Sequence, residues 1–361
     1  MPRQQPPTPL ALAALAPAVL TAACSLALAQ PDFGFDWRTV GDAGNRNLLP
    51  SEAPAWPSDY RLSGAVDHEY RMMTTEVTNA QFLDFMNAWG PTAGFPTDRF
   101  VIGSFIRFDA SSQTYGLASP AVAQWPVGVR WESAARFTNW LHNDRGTDPS
   151  DFERGVYDTS TFIINPDFTI QHEAEPAPGA RVRLPTLDEW IKPMHWGPDK
   201  NGPGEGGYWM TPGSQDEPLI GGLPSDPLAQ TNFFDPDFVP GGNAIAGMDV
   251  GSYPDTQSPW GLLDGSGGGS EWTTTAPDLP GRGRVGIFAD GSAFAAGGNP
   301  VFDSPGSFGG GLPILPLAFR LAAPIPSPPT AAICIGFLIA SQRRRPAPSG
   351  AGPAARLSTR R

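Results

Sequence analysis

The sequence predicts an α+β fold in which a few short helices and strands are carried by long irregular loops. Three observations predict it. Apolar residues make up 40% of the 361, with 21 Phe and 11 Trp among them, which is enough to build a core. Gly and Pro, 42 of each, are interleaved with those aromatics, which fits a loop-rich globular body better than disorder. Clear helical periodicity is confined to three short stretches.

Residues 30–64 are rich in Pro, Asp and Trp and show no clear period, and residues 30–59 read as an N-terminal arm packing on the body. Val66 to Met73 reads as a strand. A helix follows, capped by Thr78 or Asn79, with Phe82, Phe85 and Met86 on one face. Residues 90–125 are punctuated by Pro and Gly and read as loop with short strands. The second helix spans Trp131 to His142, where Ala134, Phe137, Thr138 and Leu141 share a face and Trp140 flanks it. Asp148 to Pro178 is an excursion with a short strand at Thr161 to Ile164. Thr186 opens a third helix, with Glu189 three residues on in the capping-box pattern, and Pro193 is expected to end or kink it. From Gly197 to Gly247 there is little periodicity, a long irregular stretch of the kind compact domains avoid unless it is functional or held by ligands. Residues 283–295 and 315–323 read as closing strands. There is no internal repeat.

Charge is unevenly spread. The formal net charge is -12. All 36 acidic residues lie between the two ends, whereas Arg3 and six arginines beyond residue 325 sit in them. The acidic body repels nucleic-acid phosphates and offers no basic stripe. It suits hard cations bound through oxygen, and it equally suits plain solubility.

The two ends read as addresses. In residues 1–29, Arg3 precedes an apolar, Ala-rich run from Leu10 to Leu28, and Ala27-Leu28-Ala29 is a small-x-small cleavage site, the pattern of a secretory signal peptide. Cys24 suggests lipidation as an alternative, but Thr21-Ala22-Ala23 lacks the leucine such a site carries. In residues 324–361, Ile325-Pro-Ser-Pro-Pro329 is followed by an apolar run from Ala331 to Ala340 and by Arg343-Arg344-Arg345. This resembles the PEP-CTERM sorting signals of Gram-negative bacteria, with Ser327 where a Glu is usual. The resemblance implies processing by an exosortase-type enzyme and display at the cell surface, outer envelope or matrix. The alternative is a tail anchor with a positive cytoplasmic end, although the run is about half the ~20 residues of a spanning helix. Either way the body is exported, and contact with a membrane is confined to this segment. Only Cys24 and Cys334 occur in the chain, so the body is not held by disulfides.

Five motifs follow one another in order: Glu76-Val-Thr-Asn79 running to Phe82; Pro126-Val127, Val129 and Trp131; Arg183-Leu-Pro-Thr-Leu-Asp-Glu189-Trp190; Gly261-Leu-Leu-Asp264 with Gly267, Glu271 and Trp272; and Ala318-Phe319-Arg320. Over residues 60–323 the chain resembles the formylglycine-generating enzyme family, the sulfatase-modifying factor domains. The resemblance implies an irregular fold similar to C-type lectins. In the fourth motif the family's Asn is Gly268 and its first Trp is Ser270. Glu76, Arg183, Glu189 and Arg320 are charges set in aromatic sequence, and buried charges persist only when paired. They are therefore expected, with Asn79, Trp131, Trp190, Asp264 and Trp272, to tie the loops together.

Family enzymes oxidise a substrate cysteine with a cysteine pair that binds copper shortly before the terminal motif. The matching window, Ala289 to Arg320, holds Asp290, Ser292, Asn299, Asp303, Ser304 and Ser307 but no Cys, so the soft ligand that Cu(I) selects is missing and no catalytic residue is assigned. Non-haem iron, used by wider relatives, would need a His/carboxylate triad; His68, His142, His172 and His195 show no metal-ligand spacing. His68 and Glu69 are expected on opposite faces of a strand, and His142 at a helix end where a cation suits the dipole. The family's calcium sites are the better match. Asn232 with the Phe233 carbonyl, and Asn243 with the Ile245 carbonyl, are placed as one site implied by the resemblance, and Glu271 is what remains of a second. The same Asn residues could instead cap turns. The leading expectation is an exported, non-catalytic binding module for a surface glycan or protein, with Tyr208, Trp209 and Phe234 as candidate contacts or core residues. The alternatives are a metal-dependent oxidoreductase and a structural envelope protein.

Overall fold

The structure is a computed structural model. It describes residues 31–52, 64–94, 105–164, 170–171, 175–232, 248–275, 278–279, 283–284, 287–289, 305–307 and 317–325, all within the unit Gln30–Ile325. Residues 1–29 and 326–361, with Cys24 and Cys334, lie outside the described residues, as do His172, Phe233, Phe234, Asn243 and Ile245, whereas Pro324 and Ile325 at the start of the second address segment are described.

In chain order the elements are β1 (Trp37–Val40), β2 (Tyr70–Met73), α1 (Asn79–Ala93), the hairpin β3 (Ile106–Asp109) and β4 (Thr114–Leu117), α2 (Trp131–His142), α3 (Pro149–Glu153), β5 (Ile163–Ile164), β6 (Ile170–Gln171) and α4 (Leu187–His195). They are followed by β7 (Trp196–Gly197), β8 (Gly207–Tyr208), β9 (Ser270–Trp272), β10 (Asp278–Leu279), β11 (Gly283–Arg284), β12 (Ile287–Ala289), β13 (Pro305–Ser307), β14 (Leu317–Ala318) and β15 (Ala322–Pro324). Helices are few, strands are short, and loops dominate, as the sequence predicts.

Two sheets organise the body. One has the order β1-β2-β15, all antiparallel, with Trp37 opposite Met73 and Ala322 opposite Met72. The other has the order β13-β12-β9-β14, with β14 parallel to β9 so that Ala318 lies beside Glu271. Phe319, Arg320 and Leu321 carry the chain from β14 of one sheet to β15 of the other.

Local sequence explains each helix. In α1, Thr78 caps the first turn and Gln81 returns a bond to the Thr78 N–H, closing a capping box. Phe82, Phe85, Met86 and Trp89 then fall on one buried face. They meet Phe137 and Trp140 of α2, with Phe82 and Phe137 stacked at 5.5 Å, and Phe319 closes the cluster. Each such ring buries roughly 150–250 Å², so this cluster is the main apolar anchor of the domain. Helix α4 starts with the Thr186–Glu189 capping box. It runs through Pro193 to His195 instead of ending there. Proline leaves the carbonyl four residues back without its helical donor, and the buried Tyr70 hydroxyl takes that place, donating to the Glu189 carbonyl at 2.7 Å.

Other expectations shift by a few residues. The strand expected at Val66–Met73 begins only at Tyr70, and His68 sits in a bend before it, so the opposite-face placement of His68 and Glu69 does not hold. The excursion strand is reduced to Ile163–Ile164. Tyr208 is fully buried, between Trp196 and the guanidinium of Arg46, so it belongs to the core and not to a contact surface. No described helix is long and apolar enough to cross a membrane.

Candidate functional site

The motif charges meet in the interior. Arg320 is fully buried between the two sheets. Its Nε and Nη2 donate to the two carboxylate oxygens of Glu271, both at 2.6 Å. Its Nη1 donates to the carbonyls of Thr74 and Leu263 at 3.1 and 3.0 Å, and Nη2 reaches the Asp264 carbonyl. This is the planar fork used in full, one side on a carboxylate and the other on loop carbonyls. Burial opposes the charge on Arg320, but Glu271, and then Glu76 and Asp264, outweigh it and raise its pKa.

Two further carboxylates face the same guanidinium. Glu76 is completely buried, and its Oε2 lies 3.9 Å from Arg320 Nη2. Neither of its oxygens has a hydrogen-bond partner among the described residues. Burial, with Asp264 and Glu271 nearby, pushes its pKa well up. Asp264 stands in the left-handed region at φ 56, where its Oδ2 accepts from the Gly251 N–H at 2.6 Å. Burial lifts Asp264 to about 6 despite that bond. Three carboxylates thus share one arginine.

Glycine makes the convergence possible. Gly267 and Gly268 adopt φ 83 and 65. A Cβ on Gly267 would overlap Asn232 Oδ1, and one on Gly268 would stand 2.6 Å from Glu76 Oε1. The departure from the family pattern at Gly268 is therefore the space that Glu76 approaches. Asn232 Oδ1 accepts from the Gly268 N–H at 2.8 Å, which fixes the loop against the carboxylates. A cavity of about 10 Å³ is left among Glu76, Asn232, Tyr253, Asp264, Ser266 and Gly268. That is the volume of about one water-sized sphere.

The side chains lining this cavity are mostly oxygen donors, with the Met248 thioether beside them and a buried carboxylate, Glu76, that no hydrogen bond among the described residues satisfies. Carboxylate and amide oxygens are the ligands that a hard cation takes. Asn232 lies here as one of the implied ligands; both oxygens of Glu271 are already taken by Arg320. The cavity offers no thiolate, and its one sulfur among the lining residues is the Met248 thioether.

A second hub supports α4. Arg183 grips both oxygens of Glu189, and His68 Nε2 bonds Glu189 Oε1 at 2.9 Å. Burial opposes ionisation of Glu189, but His68 and Arg183 together hold it down at about 2. His68 itself is raised, first by Glu189. Sequence separation of 121 residues hides this pair, and no spacing signal could have revealed it. His142 is pushed down by burial and then by Arg181, so the helix-end cation expected there is not favoured. His195 is buried, lowered to about 4, and bonded to the Trp209 carbonyl. Among the described residues no three His, Cys, Asp or Glu side chains gather as a metal-binding group. Trp131 and Trp272 clasp reciprocally, their indoles donating to the carbonyls of Thr273 and Val129. Asn79 donates to the Val122 carbonyl, and Trp190 is core.

The chain matches the family described as the sulfatase-modifying factor enzyme 1-like domain over residues 61–302. Among solved structures it is similar to CarF, at 21% identity over 81% of this chain and 99% of that one, with a TM-score of 0.48. It is also similar to PvdO from Pseudomonas aeruginosa, at 12% identity over 82% and 97% with a TM-score of 0.47. Treponema denticola variable protein 1 aligns at 17% identity over 80% and 95%, with a TM-score of 0.41. No curated protein matches the chain.

Proposed function

Because the chain belongs to the sulfatase-modifying factor enzyme 1-like family, we propose that it is an exported, non-catalytic member that serves as a surface or matrix binding module. One observation carries this reading. The chain has two cysteines, Cys24 and Cys334, and both lie outside the matched residues 61–302 and outside the window where the family's copper-binding pair belongs. Oxidation of a substrate thiol by that route needs thiolates on the metal, and no side chain of the domain supplies one. The loops are then a scaffold for recognition, since function in such folds lives in the site and not in the architecture. Export rests on the signal-like N-terminus and on the PEP-CTERM-like tail.

The same proposal assigns calcium to the small acidic cavity. Glu76, Asp264 and the Asn232 side chain would hold it, with neighbouring carbonyls completing the oxygen shell. Bound there, the cation would neutralise the charge that Arg320 leaves uncompensated and would lock the Gly267–Gly268 loop.

The test incubates the full chain with a cysteine-containing sulfatase-type peptide, oxygen, and copper or iron in turn, and reads peptide mass. The peptide is expected back unchanged with every metal. Conversion of its thiol to an aldehyde would overturn the non-catalytic reading.

A further inference from the structure

A cleft of about 470 Å³ opens on the side of the domain where the arm crosses the first two helices. Its volume falls in the range of about 300–1,000 Å³ typical of small-molecule sites. Its floor is aromatic: Phe35, Phe137 and Trp140 lie against it, each nearly buried. Its rim is polar and mixed, with Asp32 from the arm, Gln81 and Asp84 from α1, and Arg145 just past α2.

The cleft is built and held open. Asp32 fastens its own turn, accepting from the Gly34 N–H at 2.9 Å while its carbonyl accepts from the Trp37 indole at 2.8 Å. Arg145 reaches across to donate to the Phe33 carbonyl at 2.7 Å and lies over the Trp140 ring at 5.4 Å. Phe33 and Arg145 both stand at positive φ, 58 and 59. A bulky side chain there is strained, and such strain is kept where the surrounding structure fixes it and gathers at ligand clamps. Two strained residues, one on each wall and bonded to one another, define the mouth.

Several rim groups are uncommitted. Asp84 is exposed and has no hydrogen-bond or ion-pair partner among the described residues, and the amide NH₂ of Gln81 likewise donates to none of them. One Arg145 N–H is spent on Phe33, which leaves other guanidinium donors free. Trp140 is 4% exposed, and its indole N–H is buried with no acceptor. The site therefore offers acceptors on the carboxylate side and donors on the arginine and Gln81 side, above an apolar base.

We propose that this cleft binds a pyranose residue of a neutral glycan. A hydroxyl is both donor and acceptor, so a ring bearing several can satisfy Asp84, Gln81 and Arg145 together, while its C–H face meets the half-buried Phe33 ring. An amine would serve the carboxylates and leave the donors unmatched. An anion would meet Asp32 and Asp84. The inference rests on the binding-module reading and gives it a ligand class. The cleft shares no lining residue with the acidic cavity.

The test titrates the full chain with methyl glucoside, methyl galactoside, methyl mannoside and methyl N-acetylglucosaminide, read by saturation-transfer NMR and tryptophan fluorescence. At least one should saturate, and Asp84→Ala should weaken it about tenfold or more, the cost of losing a hydrogen bond to a charged acceptor. Arg145→Gln should weaken it as well. Absence of saturation by all four sugars would overturn the proposal. So would saturation that neither variant changes, or binding of choline or lysine methyl ester in their place. Aldehyde formation on the thiol peptide is read independently, so failure here leaves the non-catalytic reading standing.

Discussion

Asp264→Asn removes one negative charge from the cluster around Arg320 while keeping its shape. Asparagine tolerates the left-handed backbone at φ 56 and can still accept from the Gly251 N–H. Burial raises Asp264 from 3.8 to about 6. A raised acid holds its proton more tightly in the folded state, so its contribution to stability is complete below about pH 4 and is lost as pH climbs through about 6. At about 1.4 kcal/mol per tenfold change in proton affinity, the ionised carboxylate costs about 3 kcal/mol at neutral pH. The asparagine variant escapes that cost. In calcium-free buffer at neutral pH its melting temperature should rise by roughly 6 °C or more, taking about 2 °C per kcal/mol for a domain of this size. In acid buffer the variant and parent should converge. Added calcium should stabilise the parent, most at neutral pH where protons do not compete, and should stabilise the variant much less. Thermal melts of chelator-treated protein across pH, with and without calcium, measure all of this. A variant that melts several degrees below the parent at neutral pH without calcium would refute the reasoning, because the ionised Asp264 would then be contributing stability.

Arg320→Met should cost about 3–5 kcal/mol, since it strands Glu271 beside two other buried carboxylates; soluble yield and melting temperature report it, and a near-parental melt would show that Arg320 is not what neutralises the cluster. Gly268→Ala places a Cβ against Glu76 Oε1 at positive φ and should destabilise by about 1–3 kcal/mol; denaturant midpoints decide, and an unchanged midpoint would mean that the loop moves freely. His68, raised above 6.5 chiefly by Glu189, adds stability that is complete below that pH and is lost as pH rises through its folded value. His68→Gln should therefore flatten the fall in stability between mildly acid and mildly alkaline buffer, and an unaltered slope would assign it to other groups.

What the sequence carries openly is local. The Thr78–Gln81 and Thr186–Glu189 boxes and the aromatic face of α1 are written within a turn or two of chain, and the helices form where those patterns stand. Of the charges set in aromatic sequence, Arg183 meets Glu189 and Arg320 meets Glu271, whereas Glu76 has no hydrogen-bond partner among the described residues. What stays hidden depends on residues far apart. Tyr70 replaces the bond that Pro193 deletes, so helix α4 outruns its own sequence signal. His68 finds Glu189 across the fold, and Gly268 makes sense only once Glu76 is seen beside it. The arm cleft has no motif, since its walls come from residues 31–35, two helices and a post-helical turn whose meeting is set by tertiary packing.

The late arrival of Arg320 has a consequence for biosynthesis. Glu76, Asp264 and Glu271 are made before it, and β2 waits for β15, some 250 residues downstream, to complete its sheet. Until Arg320 is made, Glu271 lacks the guanidinium that takes both its oxygens in the fold, and pairings of such long range close slowly. The three-stranded sheet and the Arg320 cluster are completed only when these final strands are made. For the export proposed above, such a delay would keep the chain threadable through a translocation pore.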